Sequence, residues 1–157
     1  MDIILLCETF LKNSNANLYN LPGYNFVYKC RSTKLRGGVG IYIKHNLSFI
    51  VRDDLSSFIE GEFESIFLVT TNMTKNVIIG EIYRPPNCNT PDALARYDEI
   101  FTTLKNHHNV IIGTDQNFDL LKIDTSPPSS DLIDSAFANG SYQLVPNLHA
   151  SLITQLR

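Results

Sequence analysis

Apolar residues in this chain fall into short runs separated by polar, proline- and glycine-bearing stretches, with one longer segment of helical period. Ile3 to Cys7 is a continuous apolar run, too brief for a helix, and reads as a buried strand. Asn13 to Asn20 is polar and loop-like, and Leu21-Pro22-Gly23-Tyr24 signals a turn. Gly38 to Ile43 alternates with period two, as a half-buried strand does. Phe63 to Val69 and Val77 to Tyr83 read as two more strands, joined by a hairpin-length connection at Asn72 to Asn76. The second stops at Tyr83-Arg84-Pro85-Pro86-Asn87, because proline cannot donate to a sheet ladder.

Beyond Asn87 the period changes. Thr90-Pro91 opens a helix with a cap and a first-turn proline, and Asp92 lies favourably against the helix dipole. Leu94, Tyr97, Ile100, Phe101 and Leu104 form its core-facing stripe. His107-His108 end this helix or lie just past it, as a solvated terminus and not as ligands. Val110 to Gly113 is again a short β-branched run, read as a buried strand. Ser126 to Ser130 is a loop whose last serines cap a short helix through Phe137, with Asn139-Gly140 as its stop. Tyr142 to Val145 is a small strand, and Pro146 to Arg157 has weak periodicity and no assigned element.

The bulk numbers set bounds without naming an activity. With 157 residues, 43% of them hydrophobic, the chain suits a single globular domain spanning 1–157 with a real core. No apolar run reaches membrane-spanning length, and Asp2 to Cys7 lacks the basic flank and small-residue cleavage site of a secretory signal, so no membrane partner is expected. A buried strand directly after Met1 and Asp2 has little to cover it, so we expect further sequence ahead of it in the parent protein. Cys7, Cys30 and Cys88 are widely separated, which fits reduced thiols better than disulfides or zinc. A net charge of −3 gives no global sign of nucleic-acid binding. Locally, Lys29, Arg31, Lys34 and Arg36 form a basic patch ahead of Gly37-Gly38, read either as a contact for a phosphate backbone or as a solvated loop. The spacing of a phosphate-binding P-loop is absent there.

The strand ends carry the chemistry. In open α/β sheets, ligands bind just beyond the carboxyl ends of strands. There Asp115, Asn117 and Asp119 follow the Val110 strand, Glu8 follows the first strand, and Tyr83 closes the Val77 strand. A carboxylate so placed can orient or deprotonate water, and an amide or phenol can donate to a phosphate oxygen. Each has a plainer reading as well: an Asx-turn for Asp115 and Asn117, a solvated turn residue for Glu8, a core-edge aromatic for Tyr83. His149 has no spaced partner, so a metal role for it is not assigned.

Five segments stand in one order: Cys7-Glu8-Thr9-Phe10-Leu11, Gly37-Gly38-Val39-Gly40-Ile41-Tyr42, Glu64-Ser65, Tyr83-Arg84-Pro85-Pro86-Asn87, and Gly113-Thr114-Asp115-Gln116-Asn117-Phe118-Asp119. The order resembles the endonuclease/exonuclease/phosphatase superfamily. More narrowly, it resembles the apurinic-endonuclease-like domain that opens the reverse-transcriptase polyprotein of non-LTR (LINE-type) retrotransposons. The resemblance runs from about Ile3 to about Val145. It implies an α/β fold, a four-layer α/β/β/α sandwich of two packed mixed β-sheets flanked by helices, incomplete at the N- and C-termini. It implies that Glu8 ligates a divalent metal, Mg²⁺ with Mn²⁺ as the alternative. Asp115 would activate the attacking water, Asn117 would steady Asp115 and touch the scissile phosphate, and Tyr83 would hydrogen-bond that phosphate. Gly37 and Gly38 would be structural.

The implied activity is Mg²⁺-dependent nicking of DNA that leaves a 3′-hydroxyl. The partners implied are DNA, the metal and the reverse-transcriptase domain of the same polyprotein, with the nucleus as the place of action. The chain departs from the family in four respects. The family's Asn ligand on an earlier strand is not in this sequence, and neither is its late phosphate-contacting His. Its penultimate Asp falls either near Ser151 to Thr154, where Thr154 would replace it, or beyond Gln155-Leu156-Arg157. Pro146-Asn147-Leu148 stands where retroelement domains often show Pro-Thr-Arg. Losing one charge-stabilising group commonly costs about a hundred- to a thousandfold in rate. A catalytically inactive remnant kept as a binding or interaction module is therefore the rival reading, and a lipid or inositol phosphatase is a third.

Overall fold

The computed structural model describes residues 1–143 and 150–156. Its strands are β1 (Ile3–Cys7), β2 (Tyr24–Lys29), β3 (Val39–Lys44), β4 (Phe49–Val51), β5 (Phe58–Ile59), β6 (Phe63–Thr70), β7 (Ile78–Tyr83), β8 (Asn109–Asp115), β9 (Tyr142–Gln143) and β10 (Ala150–Leu156). Helix α1 (Thr90–Leu104) joins β7 to β8, and α2 (Pro127–Ala138) follows β8. The strands form two sheets, a three-stranded one in the order β1-β3-β2 and a seven-stranded one in the order β4-β6-β7-β8-β10-β9 with β5 beside β6. Among the described residues the smaller sheet is wholly antiparallel, whereas the larger is mixed because β7 and β8 run parallel. That pairing needs a crossover, and α1 supplies it.

Period-two alternation in the strands creates two apolar layers. Ile66 and Leu68 of β6 and Ile79 and Tyr83 of β7 face the other sheet, where they meet Val39, Ile41 and Ile43 of β3. The intervening residues, Phe63, Phe67, Ile78 and Ile82, turn the opposite way with Val110 and Ile112. There they bury Tyr97, Phe101 and Leu104 of α1 and Leu132 and Ala136 of α2. Both α-helices thus cover the outer face of the larger sheet. Among the described residues the outer face of the smaller sheet carries a stacked Phe26–Tyr42 pair, with ring centroids 4.1 Å apart. A single 3-10 turn, Ala16–Tyr19, is tied there by the Tyr42 hydroxyl, which donates to the Tyr19 carbonyl. The two-sheet sandwich with flanking helices agrees with the expected fold class.

Several expectations need correction. Thr90 is the first helical residue and not the cap: Asn89 Oδ1 accepts from the Asp92 N–H at 3.2 Å. Likewise α2 begins at Pro127, and Ser129 and Ser130 lie inside it. Two consecutive prolines offer no N–H, so the Ser126 carbonyl takes the first available donors, from Ser129 and Ser130, and no side-chain cap forms. Strands β2, β4 and β5 were not anticipated. The alternation of Tyr24, Phe26 and Tyr28 is a strand signal, but a turn and a basic run on either side obscure it. The weakly patterned tail forms β10 because β8 offers it an edge, with Ala150 opposite Asp115 and Leu156 opposite Asn109. The small strand expected at Tyr142 begins as β9, while Leu144, Val145, Pro146, Asn147, Leu148 and His149 lie outside the described residues.

The three cysteines are free and half-buried. No helix among the described residues is long and apolar enough to cross a membrane.

Gly80 shows how closely the helical side of the larger sheet is packed. A Cβ added there would lie 2.2 Å from the ring of Phe67, which is fully buried. Gly80→Ala is expected to destabilise the fold by about 1–3 kcal/mol through overpacking. A urea titration of both proteins measures this, and an unchanged midpoint would show that the ring has room to move.

Candidate active site

Parallel register places Tyr83, the last residue of β7, opposite Asp115, the last residue of β8. Alternation turns both side chains toward the smaller sheet, on the row that holds Glu81 and Ile79 in β7 and Gly113 in β8. From the smaller sheet β1 ends at the same place. The Cys7 thiol lies 3.9 Å from Asp115 Oδ2. The Tyr83 hydroxyl donates to Glu8 Oε1 at 2.6 Å. Three sequence-distant strand ends are thereby joined at one point. Glu8 is exposed, whereas Asp115 is half-buried.

Charge and burial act together on the neighbouring groups. Burial first, and then the Asp115 carboxylate, push the Glu81 carboxyl up to about 8. The Cys7 thiol is pushed up to about 12 by burial, then by Glu81, Asp115 and Glu8, so it stays protonated. Burial and the bond to Glu8 raise Tyr83 above its ordinary range and keep the phenol a donor. Glu81 has space only because residue 113 is glycine: a Cβ there would lie 2.4 Å from Glu81 Oε2 and 2.7 Å from the Leu5 side chain.

Two buried charged groups set the loops that present these side chains. Glu8 and Phe10 have left-handed backbone, with φ of 48° and 54°, a costly conformation for large side chains. It is held because the Thr9 and Phe10 N–H groups donate to the carbonyls of Gly38 and Gly37, at 3.2 and 2.9 Å. That glycine pair is fixed in turn by Glu64, fully buried, which accepts from the Gly38 N–H at 2.7 Å, the Gly61 N–H at 2.9 Å and Arg31 Nε. Both glycines have positive φ, and a Cβ at Gly37 would lie 2.3 Å from the Arg31 guanidinium.

The Asp115–Asn117 turn has its own clamp. Arg84 is 3% exposed and donates through one terminal nitrogen to the Gln116 and Asn117 carbonyls at 3.0 and 3.2 Å. Its other terminal nitrogen reaches Thr90 Oγ1 at 2.9 Å, and the guanidinium lies 4.0 Å over the Phe118 ring. In return the Asn117 amide, on backbone with φ of 50°, donates to the Arg84 carbonyl at 2.9 Å.

The sequence-derived site residues are thus partly assembled. Glu8, Tyr83 and Asp115 converge. Asn117 lies beside them, with its amide engaged by the Arg84 carbonyl. Asp119 instead caps a 3-10 turn through the Leu121 N–H and pairs with Lys122. The basic patch divides: Arg31 is a half-buried cation paired with the buried Glu64, Lys29 pairs with Asp53 at 3.5 Å, and Lys34 donates to the Glu60 carbonyl. Glu64, Glu81 and Arg84 were missed as site residues, though each is a lone charge in or directly after an apolar run, which is itself a signal.

The donor set suits a hard cation. Tyr83 takes one Glu8 oxygen and leaves the other without that bond. No group of three or more His, Cys, Asp or Glu among the described residues is placed to cage a metal ion. A cation here would rest on one or two carboxylates and keep most of its water, as Mg²⁺ does.

Comparison with known proteins gives a consistent result. The sequence model of the Endonuclease/Exonuclease/phosphatase family matches residues 1–151. No curated protein matches the sequence. The fold is similar to the endonuclease domain of TRAS1, a telomere-specific non-LTR retrotransposon, with TM-score 0.73, 11% identity, and coverage of 98% of this chain and 73% of that one. It is also similar to the human Nocturnin catalytic domain, at TM-score 0.62 and 12% identity, covering 98% of this chain and 69% of that one. A mannosyl-6-phosphatase of Bacteroides thetaiotaomicron superposes with TM-score 0.59 and 12% identity, covering 99% of this chain and 71% of that one.

Glu81 yields a test of this electrostatic arrangement. Its carboxyl binds a proton more tightly in the folded chain, about 8 against 4.5 ordinarily, so its stabilising contribution is full below 4.5 and is lost as pH rises through 8. The stability of Glu81→Gln relative to the parent should therefore rise between about pH 5 and about pH 9. Denaturant titrations across that range measure it, and parallel pH profiles for the two proteins would contradict the assignment.

Proposed function

Because the chain belongs to the endonuclease/exonuclease/phosphatase family, whose named members are phosphoester hydrolases, we propose that it cleaves phosphodiesters in DNA. The finer reading is the endonuclease domain of a non-LTR retrotransposon, which nicks one strand and leaves a 3′-hydroxyl. Its partner would be the reverse-transcriptase domain of the same polyprotein, and its place of action the nucleus. The observation that carries this reading is the convergence of Tyr83, Glu8 and Asp115 at one sheet edge. The likeness to the TRAS1 endonuclease domain supports the choice of DNA.

In this reading Asp115 accepts the proton of the attacking water, which adds to phosphorus opposite the departing 3′ oxygen. The Arg84 clamp fixes the Asp115–Asn117 turn, so that water and phosphate meet a preset geometry. Asn117 steadies that turn and offers its remaining amide hydrogen to the phosphate. Tyr83 orients Glu8 through its hydroxyl. Glu8 holds the divalent ion, Mg²⁺ or Mn²⁺, which when bound spreads the charge that builds on the phosphate.

A binding module without catalysis is the second reading. The described histidines lie away from Asp115: His107 and His108 precede β8 at its opposite end, and His45 follows β3.

Relaxation of supercoiled plasmid in Mg²⁺ decides between the readings. The parent chain is expected to give nicked circles, with Asp115→Asn slower by about a hundredfold or more and EDTA abolishing the reaction. A soluble, cooperatively folded chain that produces no nicked circles would exclude the enzyme reading.

A further inference from the structure

A groove of about 600 Å³, whose lining begins at Phe10, two residues along the chain from Glu8, is not used by the site chemistry. One wall runs from Phe10 to Ser14 and the other from Arg31 to Arg36. Lys12, Arg31, Lys34 and Arg36 line it, and no acidic residue does. This concentration of positive charge stands out in a chain of net charge −3. Arg31 is neutralised from beneath by Glu64, but Lys12 and Arg36 have no hydrogen-bond or ion-pair partner for their side chains among the described residues.

The groove is also braced and partly aromatic. Glu60 accepts from the Ser32, Thr33 and Lys34 N–H groups and from the Ser32 and Thr33 hydroxyls, at 2.6 to 3.1 Å, which pins one wall. On the other wall Phe10 is 52% exposed. Its left-handed φ of 54° is enforced by the Gly37 carbonyl, which holds the residue beside the groove. An exposed aromatic ring held in this way, next to unpaired cations and two residues from Glu8, has the chemistry of a stacking platform with backbone contacts.

We propose that this groove binds a single-stranded or locally unpaired stretch of nucleic acid next to the scissile phosphate. A base stacks on Phe10, while Lys12 and Arg36 contact the flanking phosphates. The proposal rests on the phosphodiesterase reading and adds to it a preference for unpaired strand. An acidic peptide would satisfy the charges but leave the aromatic ring without a partner.

Binding in EDTA separates recognition from turnover. Fluorescence anisotropy with a labelled single-stranded oligonucleotide and with its duplex gives both affinities for the full chain. Phe10→Ala is expected to weaken single-strand binding about tenfold and duplex binding less than about twofold. The Lys12→Ala, Arg36→Ala double variant should reduce the slope of log affinity against log salt by about 1.4 for single strand. The sequence has no tryptophan, so Phe10→Trp introduces one indole, whose emission should fall when single strand is added. Unchanged affinity in all variants, with no quenching, would overturn the groove assignment while leaving the family site intact. A parent chain that nicks plasmid but prefers duplex in EDTA would overturn the preference for unpaired strand. A parent chain that neither binds nor nicks any nucleic acid would remove the underlying reading and the groove with it.

Discussion

Parallel strands end at the same edge of a sheet, so pairing β7 in parallel with β8 sets Tyr83 beside Asp115 with no help from loops. The crossover helix α1 makes that pairing possible, and its buried stripe of Tyr97, Ile100, Phe101 and Leu104 anchors it to the sheet. The Tyr97 hydroxyl meets Thr114 Oγ1 at 3.0 Å, one residue before Asp115, which fixes the end of the strand from the helical side. The smaller sheet then needs only to bring the end of β1 across the sandwich for Glu8 to meet Tyr83. If β8 slipped by one residue, Asp115 would face α1 and Thr114 would face the site.

The cost of the arrangement falls on the backbone. Glu8, Phe10 and Asn117 all have positive φ, and the two larger residues are poorly suited to it. Each strained loop is matched by a buried charged group that supports it: Glu64 under the Gly37–Gly38 turn, Arg84 under the Asp115–Asn117 turn. Burying such charges is expensive unless they are fully paired. Glu64 has Arg31 and two backbone N–H donors, whereas Arg84 has carbonyls, a hydroxyl and an aromatic face in place of a carboxylate. Arg84 Nε is left without a hydrogen-bond partner among the described residues, so the arrangement secures geometry at the site and not general stability.

The strands with continuous or cleanly alternating apolar runs were legible from the sequence, with β1, β6, β7 and the core-facing side of α1 recovered within a residue or two. These elements are specified by their own residues. The elements that were not legible depend on partners: β10 exists as a strand because β8 offers an open edge, and β5 because it lies along β6. The same division holds at the site. Glu8, Tyr83 and Asp115 could be named because strand ends carry ligands, but Glu64, Glu81 and Arg84 act through contacts that span the chain. Asp119, at the same alternate spacing after Asp115, caps a 3-10 turn and pairs with Lys122, contacts that spacing alone does not reveal. Arg31, in the same way, looked like one member of a surface patch until its buried partner was known.

Glu81 bears on the choice between an enzyme and a remnant. A carboxyl with 4% exposure in the middle of an apolar strand lowers stability at neutral pH, and Gly113 opposite it forgoes a side chain to make room. Val or Ile at position 81 would fit the same strand without that cost. A module that only needed to stay folded would gain from such a replacement, as it would from relaxing the backbone at Glu8 and Phe10. The acid, the glycine and the strained turns lie around Asp115 and Glu8, although buried polar residues also occur elsewhere, at Thr70, Ser129 and Asn139. Local violations gathered at one point are the pattern expected where chemistry competes with folding.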